Sequence, residues 1–368
     1  MSGVLAVLRK EALHMQRDGG TLRFAFLIPV FQLVLFGSID TNIRRVPTVV
    51  LDLDRSQASR ELLDKFEATS FFQIERYVNT REELREEIVA GHASVGIEVP
   101  PDYEERRTYG QTAQFSVLID GSESSTAAQT LGAADGVALS QSLRELSARV
   151  GVKGMPVESR PRILFNPDSR SANLLIPGLI AILLTFSGTL LSAFAIVRER
   201  ERGTLEQLMV TPVTPTSMII GKLTPYLGLA FVQLAVVLLL MNVVFRVPVN
   251  GSVLLLAALS VVYLTALLSL GLVISARAQT QIEAIQMAQA FLLPSIMLSG
   301  YIFPLSSLPA PLRVFSQVLP ATHFVAISRG IIIRGAGFDD LIREVVALVA
   351  ISIVLLTASV VMFRRHRV

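Results

Sequence analysis

Residues 174–212 read LLIPGLIAILLTFSGTLLSAFAIVRERERGTLEQLMVTP. From Leu174 to Val197 no side chain is ionisable, and the run exceeds the roughly 20 apolar residues an α-helix needs to cross about 30 Å of hydrocarbon. It then breaks into Arg198-Glu-Arg-Glu-Arg-Gly203, where charge is too dense for a bilayer interior. Leu205, Leu208 and Met209 follow at helical spacing, Thr204 and Gln207 can form a capping box, and Pro212 ends the element. The stretch reads as a membrane-crossing helix that delivers the chain into a short amphipathic surface helix.

Five more apolar segments lie to either side: Leu22–Ile39, Pro225–Phe245, Val253–Ser275, Ile285–Phe303 and Val345–Phe363. The chain of 368 residues is 51% hydrophobic and only 17% charged, with a mean hydropathy of +0.55. A soluble domain carries about a quarter charged residues. The expectation is therefore an α-helical polytopic membrane protein with six transmembrane helices. A signal peptide is the rival reading of the first segment, but its n-region would be long and no small-x-small cleavage site closes it.

Charge orients the spans. Arg9, Lys10, Arg17 and Arg23 precede the first span, and Arg198, Arg200, Arg202 and Lys222 fill the loop after the second. Arg277 lies between the fourth and fifth, and Arg364, Arg365 and Arg367 follow the sixth. The positive-inside rule puts all of these, and both termini, in the cytoplasm. The pI near 9.4 thus reflects a membrane topology, with the lipid bilayer and not nucleic acid as the partner.

Residues 41–173 are different. They hold 16 of the 33 Lys and Arg and 20 of the 30 Asp and Glu, an acidic block in an otherwise basic chain. Val46–Leu53, Phe71–Val78, Ser94–Val99 and Gln114–Ile119 predict strands, and Thr126–Val150 a long helix. Asp54 or Ser56 can cap a helix to Phe66, and Thr80 with Glu83 a second to about Ala90. Strands alternating with helices predict an inserted extracytoplasmic α/β domain. The organisation is then 1–21, a cytoplasmic amphipathic segment; 22–39, the first span; 41–173, the outer domain; 174–363, the remaining spans; and 364–368, a cytoplasmic tail. Within 174–363 lie a cytoplasmic loop, 198–222, and an outer segment, 304–335.

Catalytic chemistry is hard to place on this chain. There is no cysteine, and His92 is the only histidine of the acidic block, so neither a thiolate site nor a local histidine metal site is expected. No G-x-S-x-G, H-E-x-x-H or G-x-x-x-x-G-K-[ST] occurs. Asp52, Asp54 and Asp120 fall at strand ends, where turn and cap chemistry accounts for them.

Gln32, Gln233, Asn242, Glu283 and Gln286 lie in or beside spans as candidate pathway or helix-interface residues. Residues 299–335 are too apolar for an ordinary loop and are broken by Pro304, Pro309, Pro311 and Pro320, which predicts two short re-entrant or interfacial helices.

The run Glu199–Pro212 with Gly221-Lys222 resembles the loop of type 2 ABC-transporter permeases. Ser299-Gly-Tyr-Ile-Phe-Pro304, Leu308-Pro309, Leu319-Pro-Ala-Thr-His323 and Arg329 before Gly335 are similar to the C-terminal segment of that family. Val50–Leu63, Pro100-Pro-Asp-Tyr103 and Ile119-Asp-Gly121 look like its branch with a large outer domain after the first helix.

The resemblance implies the permease subunit of an exporter for hydrophobic or amphipathic compounds, such as drugs or lipids, in a bacterial inner membrane. It implies a second permease subunit and a separate ABC ATP-binding protein, so that ATP and Mg sit on the partner and no cofactor on this chain. Glu199, Arg200, Glu201, Gly203, Thr204, Glu206, Leu208 and Pro212 would couple the ATPase to the spans. Gly300, Phe303, Pro304, Pro309, Pro320, His323 and Arg329 would form an outer gate. By analogy the branch also implies a periplasmic adaptor and an outer-membrane channel. Two other readings exist: a non-transporting sensor or scaffold acting through the outer domain, and an ion-driven antiporter, which the scarcity of ionisable groups within the spans disfavours.

Overall fold

A computed structural model describes residues 2–39, 44–122, 124–150, 164–203 and 214–365. The chain divides into two compact units, one of residues 1–40 with 163–368 and the other of residues 41–162.

The first unit opens with α1 (Ser2–Arg17), an amphipathic helix that buries Val7 and Glu11, and α2 (Gly19–Gly37). The second unit is a mixed α/β layer. Its elements run β1 (Val46–Asp52), α3 (Gln57–Ala68), β2 (Phe72–Tyr77), α4 (Arg81–Val89), β3 (Val95–Val99), α5 (Tyr103–Thr108), β4 (Ser116–Ile119) and α6 (Ser124–Val150). The sheet order is β2-β1-β3-β4, with β1 parallel to β2 and β3, and β4 antiparallel to β3. β1 and β3 are largely buried because helices cover both faces of the sheet. Phe66 and Phe72 meet edge to face at 5.0 Å in the larger of its two cores.

The helix starts are those the turn residues dictate. Ser56 Oγ accepts the Ser59 amide at 3.0 Å, so Ser56 and not Asp54 caps α3. Thr80 Oγ1 accepts the Glu83 amide at 3.2 Å, while the Glu83 carboxylate reaches back one residue past the cap to the Asn79 amide at 2.9 Å.

The first unit resumes with α7 (Ser171–Glu201), α8 (Pro215–Val243), α9 (Val253–Arg277) and α10 (Gln281–Leu298). The short helices α11 (Ala310–Ser316) and α12 (Pro320–Arg329) follow, then a π-turn over Gly330–Arg334, and α13 (Ile342–Arg365) closes the described chain. Among the described residues four helices are long and apolar enough to span a membrane: α7, α8, α9 and the last. The molecule is thus a helical membrane protein with a small four-stranded α/β domain. Two of the six expected spans are less apolar or shorter. α2 is 19 residues long and carries Arg23 near its start and Pro29 within it. α10 carries Glu283, Gln286 and Gln289, and stops at Leu298, before the expected Phe303, where Gly300 turns the chain at φ +80°.

α7 is the central helix, with nearly its whole length buried. It meets α9 at a closest approach that only a glycine permits: a Cβ on Gly271 would lie 1.9 Å from Ser192 Oγ and 2.4 Å from the Thr189 carbonyl. At the same interface Tyr263 donates to the Ala181 carbonyl at 2.9 Å and stacks on Phe324 of α12 at 4.2 Å.

Candidate functional site

The last turn of α7 is the point where most helices of the first unit are joined. Its residues alternate in charge, and each reaches a different neighbour. Arg198 donates to Asp18, between α1 and α2, at 2.6 Å. Glu199 accepts from Lys10 of α1 at 2.8 Å and forms an ion pair with Lys222 of α8 at 2.9 Å. The Arg200 guanidinium donates to the carbonyls of Ala276 and Ala278, at the C-terminal end of α9, where a cation also meets the negative end of the helix dipole. Glu201 accepts the Gln281 backbone amide at 2.7 Å, so its carboxylate sits at the positive end of α10, and it also accepts from the Gln281 side chain.

The helix then stops. Gly203 takes φ +67°, the left-handed conformation usual one residue past a helix end, and its amide donates to the Arg200 carbonyl at 3.1 Å. Thr204, Glu206, Leu208 and Pro212, the rest of the expected coupling set, lie outside the described residues.

Lys222 is the most buried cation of this region, 1% exposed. Its ammonium donates to Glu11 at 2.9 Å and to the Ala195 carbonyl at 3.0 Å, and Glu199 lies on its third side. Two ammonium groups, Lys10 and Lys222, thus face two carboxylates, Glu11 and Glu199. Such balance is what lets charges persist away from water. Beside the cluster α1 and α8 touch closely: a Cβ on Gly221 would stand 2.8 Å from that of Val7.

The 299–335 segment is organised by two arginines. Arg329, at the end of α12, donates to the carbonyls of Gly300 at 2.8 Å and Tyr301 at 2.9 Å. Arg313 donates to the carbonyls of Leu305, Ser306 and Leu308. Pro304 precedes a 3₁₀ turn over Leu305–Ser307, Pro309 precedes α11, and Pro320 opens α12, so each proline marks a helix start. His323 Nε2 lies 2.9 Å from the Gln317 carbonyl, while Phe303 is exposed.

The polar residues of the spans do not converge. Gln32 is half-buried on α2, and Asn242 and Gln286 are exposed. Gln233 is buried on α8, and its side-chain amide meets no partner among the described residues. Glu283 caps its own helix: its amide donates to Thr280 Oγ1 and its carboxylate accepts the Gln279 amide at 2.7 Å. Two apolar pockets flank Phe186 and Leu190 of α7, one of about 280 Å³ against Pro29 and Ile285, the other of about 90 Å³ against Thr189 and Phe291.

In the α/β unit the strand-end carboxylates serve turns. Asp52 accepts the Asp54 and Arg55 amides and the Ser59 hydroxyl. Asp120 accepts the Ser122 amide at 2.9 Å, which holds its carboxyl below the ordinary range. Glu11, Asp18 and Lys10 are the cluster residues that sequence reasoning missed as a site. The available signal was Glu11 on the face of Val4 and Val7, an acid in the apolar stripe of α1.

With this geometry in view, the chain is matched over residues 20–361 by the model of the ABC-2 family transporter proteins. It belongs to that family. It is 30% identical to the probable multidrug ABC transporter permease YbhS of Escherichia coli strain K12, over 98% of this chain and 94% of that one. It is 28% identical to the probable multidrug ABC transporter permease YbhR, over 98% of this chain and 97% of its relative. Identity is also 28% to the inner membrane transport permease YhhJ of the same strain, over 93% and 91% of the two chains. The protein is the membrane-spanning permease of an ABC transporter, a kind of subunit without an ATPase domain of its own.

Proposed function

We propose that this permease exports hydrophobic or amphipathic compounds, drugs or lipids, across a bacterial inner membrane, and that loop 198–222 takes up the motion of an ATP-binding partner. In this reading α2 and α10 complete six spans, both termini are cytoplasmic, and residues 41–173 lie outside. The basic clusters around α1 and after α7 and α9 support that topology. The names of the two multidrug permeases support the substrate class.

The observation that carries the coupling role is the last turn of α7, whose four charged residues reach α1, α8, α9, α10 and the α1–α2 junction. A push on the loop beyond Gly203 meets all of these helices at once, which is what a two-state transmission needs. Thr204, Glu206, Leu208 and Pro212 would supply the docking surface itself. ATP and Mg belong to the partner.

A second permease subunit is supported by α10, where Gln286 and Gln289 are exposed among apolar residues; such groups avoid lipid. The segment 304–335, held by Arg329, serves as the outer gate, and a periplasmic adaptor with an outer-membrane channel receives the exported compound. The test of coupling is Gly203→Pro with Glu206→Arg: ATP-driven export is lost. Export at the parental rate from a fully assembled complex would overturn the assignment.

A further inference from the structure

We propose that Lys222 is a positioning residue that makes α1, the last turn of α7 and the first turns of α8 one rigid block, so that the N-terminal helix is driven together with the spans. This rests on the coupling reading above.

Two observations carry it. The Lys222 ammonium is shared by Glu11 of α1, Glu199 of α7 and the Ala195 carbonyl, all within 3.0 Å. Drawing α1 away would take Glu11 from the buried Lys222 ammonium and Lys10 from Glu199, leaving the remaining Lys222–Glu199 pair less well satisfied. Sliding it along α8 is blocked as well, because Val7 stands against Gly221, and Val4 O would lie 3.1 Å from a Cβ there.

The block has a defined edge on each side. After α7 the chain leaves through Gly203 in the left-handed conformation. In α8, Pro225 has no amide to offer the Gly221 carbonyl four residues back, so the helix can bend just beyond Lys222. A rigid block with a bend point at its α8 edge can move as a lever. Leu5, Arg9 and Leu13 are exposed on α1, so a label at Arg9 leaves the contacts of the block intact.

The experiment uses the complete permease–ATPase complex in proteoliposomes. The chain has no cysteine, so spin labels can be placed pairwise at Arg9→Cys and Ile220→Cys, within the block, and at Arg9→Cys and Leu293→Cys, across its edge. Electron paramagnetic resonance then compares nucleotide-free complexes with complexes trapped by ATP and vanadate. The 9–293 distance shifts by about 2 Å or more, as helices do in such transitions, while the 9–220 distance stays within about 1 Å. Lys222→Met broadens the 9–220 distances and lowers the 9–293 response to nucleotide about tenfold in population. Lys222→Arg, which keeps a cation between Glu11 and Glu199, retains more of both than Lys222→Met.

A 9–220 distance that changes on trapping overturns the block, as does a Lys222→Met complex that keeps the parental distances and response. These results stand apart from failure of the coupling reading, for which Gly203→Pro with Glu206→Arg would leave the 9–293 shift and export intact.

Discussion

Lys222 and Glu11 are 211 residues apart in sequence and 2.9 Å apart in the fold, with side chains only 2% and 6% exposed. Nothing local to either residue demands the pair. It exists because α1 and α8 pack side by side at Val7 and Gly221 and because Glu199 arrives from α7 on the same ammonium.

Removing one member of this pair is expected to be far worse than softening it. Glu11→Ala should destabilise the first unit by about 1.5–3 kcal/mol, because the Lys222 ammonium loses one of its two carboxylates while Glu199 remains. Glu11→Gln, which still accepts a hydrogen bond, should cost less. Thermal inactivation of the detergent-purified chain ranks the two variants.

Gly271→Ala should destabilise the α7–α9 contact by about 1–3 kcal/mol or more, since the added carbon meets backbone at the Thr189 carbonyl. Ser192→Gly in the same chain removes the Oγ clash but not the carbonyl, so it recovers only part of the loss. Thermal unfolding of both variants measures the difference.

Arg329→Ala should release the turn at Gly300–Tyr301, because hydrogen bonds from a charged donor contribute about 1.5–3 kcal/mol each and two are lost. Faster proteolysis within residues 299–304 of the membrane-embedded chain reports it. Arg329→Lys, with a single point charge in place of a two-pronged donor, should restore only part of the protection.

In the α/β domain, Asp120 has a depressed carboxyl pKa because the Ser122 amide donates to it. Its contribution to stability is therefore complete above the ordinary carboxylate value of about 3.9 and is lost as the pH falls through its lower native value. Protection of the Ser122 amide against hydrogen exchange should fall on acidification, and Asp120→Asn should flatten that dependence.

Much of this architecture was legible in residue order. The apolar runs Leu174–Val197 and Val253–Ser275 announce spans because a bilayer selects for length and composition alone. Ser56 and Thr80 announce helix starts because capping is local. The alternating run Arg198–Glu201 was legible as charge, but its partners were not: Lys10, Asp18 and Lys222 come from distant segments, and spacing says nothing of such pairs. The five-residue π-turn at Gly330–Arg334 was hidden for a similar reason, since it packs on Asn250, whose amide donates to the Ile332 carbonyl at 3.0 Å. The apparent length of the fifth span misled because apolar composition continues past Leu298, where Gly300 has already turned the chain.

The central claim is that this permease is driven through the end of α7 by a separate ATP-binding protein. Mild detergent purification of the tagged chain, from cells expressing its genomic neighbours, with mass spectrometry of what co-elutes, tests it most directly. The account predicts a stoichiometric Walker-motif ATPase that is lost when residues 199–209 are scrambled. Recovery of the chain without any ATPase, or an ATPase that stays bound to the scrambled chain, would contradict it.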